Sequence, residues 1–506
     1  MRSPRTAAVA LLSFSSGLPL GLVWFAIPDW MRDIGVDIRL VGLLSLAQAP
    51  WAFKVVWSPF MDRYVPPFWG RRRGWMALTQ VLLFALGLLL AGLGRRPEAL
   101  WVVGAVALAT GLAAASQDIA FDAYTVEVLR PEEHGVAVGA RTATYRAAMA
   151  VSGGAAITLA AHVGWPFVNV LLALLYIPVL FVTWRSPEPD ASTKAPRTLR
   201  DAVWLPFLEM LSRPRAIEIL AFVVLYKLAD QLSQALTRPF LIDLGYSAEH
   251  RGIALATVGL AATVGGAVIG GWVTTLAGLG HSLWLFGLLQ LFSNAGYWLL
   301  ARTTEPHLPL MYAATSLELL TSGMGTGAFS VLLLRLTEKR FSATQYALFS
   351  SLFALPRVLA GPIAGFAVDA VGWPAFYLAT MGCGIPGLLM LARFAPLGVR
   401  EPRITAFDVD ETTAWSRQGG FVLRGVASGL TAGGAASIAV ALMAGLHTMR
   451  ATPGSALQFG AAWSAIWRPG DVAGWLQVAS IVAFGCASAL IAVAAMAARR
   501  RTRRAS

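Results

Sequence analysis

Long apolar runs separated by short polar stretches dominate this chain of 506 residues. A helix needs about 20 apolar residues to cross the ~30 Å hydrocarbon core of a bilayer, and this criterion predicts fourteen spans. Their limits are roughly 7–30, 39–60, 75–94, 99–124, 137–161, 165–184, 215–238, 252–277, 282–301, 308–334, 343–369, 373–394, 421–446 and 473–498. The first run is too long for a secretory signal and lacks a small-residue cleavage site, so we interpret it as a retained transmembrane helix.

An internal repeat groups the first twelve spans into two sets of six. Asp-Ile-Gly at 33–35 recurs as Asp-Leu-Gly at 243–245, and Gly-Trp-Pro at 164–166 recurs at 372–374. The two anchors keep their order and nearly their spacing, which indicates a duplication. An even number of spans per half makes the halves parallel repeats, as in major-facilitator transporters. The sequence therefore predicts an all-α polytopic membrane protein with the major-facilitator fold and two extra C-terminal transmembrane helices.

The polar stretches define the expected domains. We predict an N-terminal six-helix half at 1–185, a cytoplasmic linker at 186–214, a C-terminal six-helix half at 215–395, and a cytoplasmic loop with helices 13 and 14 at 396–506. Neither polar stretch can hold a nucleotide-binding domain, and the chain contains no Gly-Lys-Ser or Gly-Lys-Thr. We therefore exclude an ATP-driven pump in a single chain.

Composition supports a membrane protein, and the distribution of charge orients it. The chain is 57% hydrophobic and only 13% charged, which excludes an ordinary soluble fold. The net charge of +13 would suggest nucleic acid in a soluble domain, but little of this chain is solvated, so we expect no nucleic-acid partner. Most of the 40 Lys and Arg residues lie at the N-terminus, in every second loop and at the C-terminus. The positive-inside rule then predicts that both termini are cytoplasmic.

The reactive residue types show no pattern of catalysis or metal binding. Cys383 and Cys486 both lie in apolar runs, so we infer neither a disulfide framework nor a zinc site. The six histidines have no ligand spacing, and no nucleophile with a base can be recognised from residue order. We expect no metal, no cofactor and no enzymatic activity.

A charged loop after the second span is a candidate gate. Asp62 and Arg63 are followed by Arg71, Arg72 and Arg73. The pattern resembles the major-facilitator loop motif, whose charges hold the inner ends of the bundle together in one state and release them in the other. We assign gating to these residues and to Arg141, near the cytoplasmic end of the fifth span. The alternative is that the arginines serve only topology.

Charged residues inside spans cost about 2.5–3.5 kcal/mol each on insertion scales, so each needs a partner or a function. At 1.5 Å per residue, most of the buried cations come out near the membrane midplane, where facilitator substrates bind. Lys227 and Asp230 share one helix face, and a neutralised structural pair is the simpler interpretation. The number of buried cations favours an anion-binding site instead. The candidate substrate-binding residues are Lys54, Gln117, Arg146, Lys227, Gln231 and Arg357.

Buried acids are candidates for proton coupling. Asp118 and Asp122 are one helical turn apart, so they repel each other unless one is protonated or a cation lies between them. A salt bridge to Arg63 or Arg141 is an equally good account of them. Asp230, and Glu318 in the tenth span, complete the set of candidate proton-coupling residues.

These motifs together resemble the AmpG muropeptide permeases, over about residues 13–395. The matching segments are Ser-Gly-Leu-Pro-Leu at 16–20, Phe-Lys at 53–54, Trp-Ser-Pro at 57–59, Met-Asp-Arg-Tyr at 61–64, Gly-Arg-Arg-Arg-Gly-Trp at 70–75, Ser-Gln-Asp-Ile at 116–119, Phe-Asp-Ala at 121–123, Leu-Tyr-Lys-Leu-Ala-Asp at 225–230, Ser-Asn-Ala-Gly-Tyr-Trp at 293–298, Gly-Met-Gly-Thr at 323–326 and Phe-Ser-Ala-Thr-Gln at 341–345. The sequence departs from the family at two places, which puts substrate preference in question. The first helix reads Trp-Phe-Ala-Ile-Pro-Asp at 24–29, which is more apolar and more kinked than the small, polar stretch usual in the family. Tyr124-Thr125 stands where the family tends to have Trp-Lys.

The resemblance implies a proton symporter in the bacterial inner membrane. It would import anhydromuropeptides, the disaccharide N-acetylglucosaminyl-anhydro-N-acetylmuramic acid with its stem peptide, for cell-wall recycling. The expected partners are this anionic glycopeptide, protons and the lipid bilayer, and we expect a monomer. Two alternatives stay open: a transporter of another anionic metabolite such as acetyl-CoA, and a non-transporting membrane scaffold or sensor.

Overall fold

The computed structural model is built from helices throughout its described part. The structure describes residues 3–36, 44–93, 100–189, 198–212, 216–402, 419–451 and 459–470, with isolated positions at 196 and between 474 and 489. Its contacts divide the chain into two compact units, one of Met1–Val203 with Glu218–Ile404 and one of Trp204–Ile217 with Thr405–Ser506. Both predicted six-helix halves belong to the first unit.

The N-terminal half holds helices α1 to α6. Their bounds are α1 Pro4–Asp33; α2 in the pieces Leu44–Gln48, Ala49–Phe53, Lys54–Val56 and Ser58–Arg63; α3 Arg71–Leu93; α4 Leu100–Val128; α5 in the pieces His134–Ala150, Val151–Ala155 and Ala156–Val163; and α6 Trp165–Arg185. A further helix, Leu199–Ser212, lies in the predicted linker.

The C-terminal half repeats this order with α7 to α12. Their bounds are α7 Glu218–Asp243, α8 Glu249–Ala277, α9 Leu279–Leu300, α10 Leu308–Leu336, and α11 and α12 within the run Ser342–Phe394. Helices α11 and α12 part at Gly372, and α12 has its apolar span at Val371–Arg393.

The predicted spans are confirmed in part. Within the described residues, nine helices are long and apolar enough to cross a membrane. The second, fifth and eleventh predicted spans are also helical, as the interrupted α2 and α5 and as α11. The thirteenth falls inside the helix Gly419–Ala451, and most of the fourteenth lies outside the described residues. In the second unit, this helix packs on Phe459–Ile466 through Ala441 and Ile466.

The two sequence anchors of the repeat adopt matching backbone conformations. Gly164 and Gly372 have φ of +81° and +75°, directly before the Trp-Pro that begins the next helix. Gly35 and Gly245 have φ of +88° and +80°, just after α1 and α7. Only glycine adopts this left-handed region without steric cost. The duplication therefore extends to the same turns at equivalent helix ends.

The two halves pack together at one end of the bundle. We call the end with Arg71, Arg130 and Lys339 the basic end, and the opposite end the far end. At the basic end, Ala343 of α11 belongs to the same apolar cluster as Met61 of the other half. Among the described residues, the clusters around Trp30 and Tyr377 at the far end are each confined to one half. The bundle is closed at its basic end.

Glycines permit this closure between α5 and α8. A Cβ on Gly135 would lie 2.3 Å from the carbonyl oxygen of Gly271 and 2.1 Å from Thr275 Oγ1. Contacts this short are impossible for a real side chain, so helix backbones approach closely because both positions lack one.

Candidate functional site

A buried ionic cluster lies at the basic end. Arg72, at the start of α3, has its Nη2 2.6 Å from Asp62 Oδ1 and its Nε 2.8 Å from Glu127 Oε1. Arg71 adds a second bond to Glu127, also at 2.8 Å. Buried charges are costly unless paired, and here each carboxylate has a guanidinium partner. The cluster joins the end of α2 and the start of α3 to the end of α4.

Asp62 also reaches across to the other half. Its Oδ2 accepts the backbone N–H of Thr344 at 2.8 Å and the Thr344 hydroxyl at 2.7 Å, and its Oδ1 accepts the N–H of Ala343 at 3.3 Å. The first N–H groups of a helix lack intrahelical partners and lie at the positive end of its dipole, so Asp62 caps α11.

Ser342 connects the two sets of contacts. It accepts a bond from Arg72 at 2.8 Å and donates one to Glu127 at 2.6 Å. We call the cross-half cluster of Asp62, Arg71, Arg72, Glu127, Ser342 and Thr344 the basic-end lock.

The other predicted gating residues lie outside this lock. Arg73 pairs with Glu188 at 3.0 Å and donates to the carbonyl of Ser186 at 2.9 Å, so it holds the start of the linker. Arg63 lies over the ring of Tyr64 at 5.5 Å. Arg141 points to a different cluster, inside the N-terminal half.

That cluster, which we call the N-half site, joins α2, α4 and α5. Lys54 Nζ lies 3.1 Å from Asp122 Oδ2, and Arg141 binds Asp122 Oδ1. Lys54 begins the single 3-10 turn that interrupts α2. Two cations flank Asp122, and the carboxyl group of Asp118 lies within electrostatic reach of both. With Asp118 neutral, the site has one positive charge in excess and is suited to receive an anionic group.

Asp118 has a different environment from Asp122. Its Oδ2 accepts the indole N–H of Trp51 at 3.0 Å, and the neighbouring Trp57 donates to Ser116 at 3.0 Å. The repulsion expected between the two acids is relieved because cations bind Asp122. Of the two interpretations of Asp122, the structure shows the salt bridge to Arg141.

The remaining substrate-binding candidates of the N-terminal half are placed differently. Gln117 is buried away from the ionic cluster, where it accepts from Thr79 at 2.9 Å and donates to Ser15. Its amide therefore ties α1, α3 and α4 together. Arg146 is half-buried on α5, five residues beyond Arg141.

The C-terminal half holds a polar network centred on Asp230, which we call the C-half site. Its Oδ2 accepts from Lys227 at 2.7 Å, Ser322 at 2.9 Å and Gln290 at 3.2 Å. Lys227 is fully buried and lies where α7 is interrupted, between Ala216–Leu225 and Leu228–Ala235. Lys227 and Asp230 form the ion pair of the simpler interpretation, and an anion-binding site here stays a prediction.

Gln234 extends the network to Glu318. Its Nε2 lies 3.1 Å from Glu318 Oε1, 2.8 Å from Ser322 Oγ and 3.4 Å from Asp230 Oδ1. The predicted binding residue Gln231 is half-buried on the same helix, one residue beyond Asp230. Arg357 lies on α11, but its side chain is outside the described part of the structure.

Several residues of these sites were not predicted from the sequence. Each of them bonds to a residue on another helix, and they are Glu127, Thr344, Trp51, Gln290 and Ser322. A weak signal existed for some of them. Gln290 and Asn294 are isolated amides one turn apart in the apolar α9, and Glu127 stands near the end of α4.

The chain matches a known family and named relatives. The sequence model of the Major Facilitator Superfamily matches residues 9–361. A relative named anhydromuropeptide permease, from Escherichia coli K12, is 44% identical over 396 residues, which cover 77% of this chain and 79% of the relative. A relative from Rickettsia conorii named putative transporter AmpG 4 is 28% identical over 399 residues, covering 76% and 95% of the two chains.

Solved structures share the fold. The human organic anion transporter MFSD10 superposes with a TM-score of 0.58 at 16% identity, covering 77% of this chain and 99% of that one. The proton:xylose symporter XylE, bound to 6-bromo-6-deoxy-D-glucose, gives a TM-score of 0.58 at 12% identity, covering 79% and 97%. At these identities the likeness establishes the fold alone.

Proposed function

Because the chain belongs to the Major Facilitator Superfamily, and within it to the family of the anhydromuropeptide permeases, we propose that it imports anhydromuropeptides by proton symport. The observation that carries this proposal is the 44% identity over 396 residues to the Escherichia coli permease. The protein is a polytopic membrane transporter, and we place it in the bacterial inner membrane as a monomer.

Orientation follows from charge. The basic end carries the lock and the arginine-rich loops, so by the positive-inside rule we place it, with both termini, in the cytoplasm. The far end then faces the periplasm. A bundle closed at its basic end would be ready to receive substrate from outside, which is the direction that import requires.

The N-half site is our candidate for binding the substrate's carboxylates. Asp122 holds Lys54 and Arg141 in place, and while Asp118 is protonated the site has one excess cation that can bind a further carboxylate. Arg146 and Arg357 are the other cations that we assign to binding. Anhydromuropeptides carry carboxylates on the muramic acid-linked stem peptide, so their charge matches this site.

The buried acids separate into two classes by their partners. Asp122 forms salt bridges with Lys54 and Arg141, and Asp230 forms one with Lys227. In the described hydrogen bonds, Asp118 and Glu318 accept from the neutral Trp51 and Gln234. A carboxyl group with neutral partners is the better candidate to exchange a proton. We therefore propose Asp118 and Glu318 as the proton-coupling residues, with Asp122 and Asp230 organising the cations.

The test is uptake of labelled anhydromuropeptide into proteoliposomes, with and without an inward proton gradient. We expect gradient-driven accumulation that is competed by excess unlabelled anhydromuropeptide and not by acetyl-CoA. Lys54→Met should raise the KM, whereas Arg238→Met, which removes an exposed cation at the far end, should not. Competition by acetyl-CoA would favour the other anionic substrate, and no uptake under any gradient would favour a scaffold or sensor.

A further inference from the structure

Three helices of the C-terminal half carry polar side chains at helical spacing, facing one another. The series is Asp230, Ser233, Gln234 and Thr237 on α7; Gln290, Ser293, Asn294 and Tyr297 on α9; and Thr315, Glu318 and Ser322 on α10. Except for the half-buried Gln234, all of these residues are buried. We call this set the polar file.

The polar file has a satisfied part and an unsatisfied part. Around Asp230 most polar atoms bond to one another, as described above, and Ser233 Oγ is an exception. Closer to the far end, five buried oxygen atoms have no hydrogen bond of normal length to any described residue: Glu318 Oε2, Thr315 Oγ1, Asn294 Oδ1, Tyr297 Oη and, from α12, Tyr377 Oη. Their residues are between 0% and 2% exposed. These five atoms belong to α9, α10 and α12 of the C-terminal half.

These atoms are neighbours. The rings of Tyr297 and Tyr377 have centroids 5.2 Å apart, and the carboxyl group of Glu318 lies within electrostatic reach of both hydroxyl groups. Thr315 and Glu318 are one turn apart on α10, and Asn294 and Tyr297 are one turn apart on α9. Helices α9 and α10 pack against each other along their length.

Leaving each of these groups unpaired is unfavourable, because a membrane protein has no bulk solvent inside its spans to supply the missing hydrogen bonds. The hydroxyl groups of Tyr297, Tyr377 and Thr315 need acceptors, while Glu318 Oε2 and Asn294 Oδ1 need donors. Water supplies both, and buried water typically makes about three hydrogen bonds to such groups. A bare cation would bind the oxygen atoms but leave the hydroxyl hydrogens without acceptors.

The five unsatisfied atoms lie at different depths below the far end. Tyr297 lies three residues from the last residue of α9, about 5 Å from the far end at 1.5 Å per residue. Glu318 is ten residues into α10, about 15 Å deep. The unsatisfied oxygens therefore lie between the far end and the carboxyl group that we assigned to proton coupling.

We propose that ordered waters fill this part of the polar file and form the route by which protons from the far side reach Glu318. The route lies inside the C-terminal half and is separate from the N-half site, which binds the substrate. Each hydroxyl group or water accepts a proton on one side and releases one on the other, and Glu318 Oε2 takes up the proton that arrives. Tyr297, Tyr377 and Thr315 are positioning residues for the waters. The proposal rests on the proton symport proposed above.

Hydration can be tested without transport. Radiolysis of water inside the reconstituted protein produces hydroxyl radicals that modify adjacent side chains. We expect Tyr297 and Tyr377 to be modified faster than Tyr124, which is equally buried but donates its hydroxyl to the carbonyl of Pro187 at 2.8 Å. Modification no faster than that of Tyr124 would mean that the group is dry and would overturn the proposal.

Transport tests the role of the waters. Replacing Tyr297→Phe and Tyr377→Phe together should slow gradient-driven uptake by about tenfold or more, while exchange without a gradient stays within about twofold. Thr315→Val, which keeps the side-chain shape, should act in the same direction, and Tyr312→Phe is the control, because its hydroxyl bonds His250 instead.

Equal loss of driven uptake and exchange, or no loss of either, would contradict the proton route. Stimulation of wild-type uptake by sodium in place of a proton gradient would also contradict it and would assign the oxygens to an alkali cation. If the wild type shows no uptake at all, the proposed function fails, and the labelling experiment still decides whether water occupies the polar file.

Discussion

Asp62 in the N-terminal half accepts the backbone N–H of Thr344, at the start of α11 in the C-terminal half, at 2.8 Å. The same carboxylate pairs with Arg72 at 2.6 Å and is fully buried. Closing the basic end therefore caps a helix of one half with a carboxylate that the other half already pairs with a cation. Opening that end must break the bonds from Asp62 to Ala343 and Thr344, whereas the Arg72 pair lies within the N-terminal half and does not need to break.

Asp62→Asn is expected to shift the protein toward a state open at the basic end. Hydrogen bonds to a charged acceptor contribute about 1.5–3 kcal/mol, and those from Ala343 and Thr344 to Asp62 exist only while the two halves are joined. The measurement is thiol labelling of Ala343→Cys, a contact between the halves, in a chain with Cys383 and Cys486 replaced by Ser. Labelling should become faster in Asp62→Asn and stay unchanged in Asp29→Asn, an exposed far-end control. Equal labelling rates in all three proteins would mean that the lock does not control opening.

Gly135→Ala should have the same effect on labelling through sterics rather than charge. An added Cβ would meet Thr275 and the backbone of Gly271 at distances that no side chain tolerates, so the basic ends of α5 and α8 must separate. Gly154→Ala on the same helix meets nothing within 4 Å and serves as the control. If Gly135→Ala labels as slowly as Gly154→Ala, the close packing of α5 and α8 does not hold the bundle closed.

Asp118→Asn and Asp122→Asn are expected to have different effects on driven uptake and on exchange. Asp118 accepts a hydrogen bond from the neutral indole of Trp51. The Asp118→Asn variant should therefore show gradient-driven uptake reduced by about tenfold or more, with exchange retained. Asp122 holds Lys54 and Arg141, so its amide leaves two buried cations without their carboxylate and should impair both activities. Paired measurements of driven uptake and exchange distinguish the two. The assignment is reversed if Asp122→Asn alone separates driven uptake from exchange.

Lys227 and Asp230 should be strongly coupled in stability. Either Lys227→Met or Asp230→Asn alone leaves a buried charge without its partner, 2.7 Å away in the wild type. Each is expected to destabilise the protein, and the double variant should be less destabilised than the sum by about 2–4 kcal/mol. The check is a double-mutant cycle of unfolding in detergent. Additive effects would show that the pair contributes no interaction energy.

The fold was largely predictable because its signals are local in the sequence. The length of an apolar run decides whether a helix can span a bilayer, and most predicted spans coincide with helices. The glycines of the two repeat anchors must adopt positive φ, so their spacing already marked equivalent turns. The proximity of Asp62 and Arg72 could likewise be predicted, because these residues lie at the two helix ends that one short loop connects.

Other contacts could not be predicted because the partner lies far away in the chain. Arg141 was a candidate both for the gate and for a salt bridge to the acids of α4, and in the structure it pairs with Asp122. Gln117 was predicted to bind substrate because it is polar, and in the structure its amide forms hydrogen bonds with Thr79 of α3 and Ser15 of α1. The interruptions of α2 at Lys54 and of α7 at Lys227 have no clear signal in the sequence.

The sequence by itself determined the membrane-spanning helices, their duplication and the identities of the buried charged residues, because hydrophobic length and charge count are properties of consecutive residues. Only the tertiary structure decided which charges neutralise each other. Asp122 and Asp118 are one helical turn apart, but one lies between Lys54 and Arg141 and the other beside Trp51. Pairing depends on distances between helices, and these are set by the packing of the whole bundle.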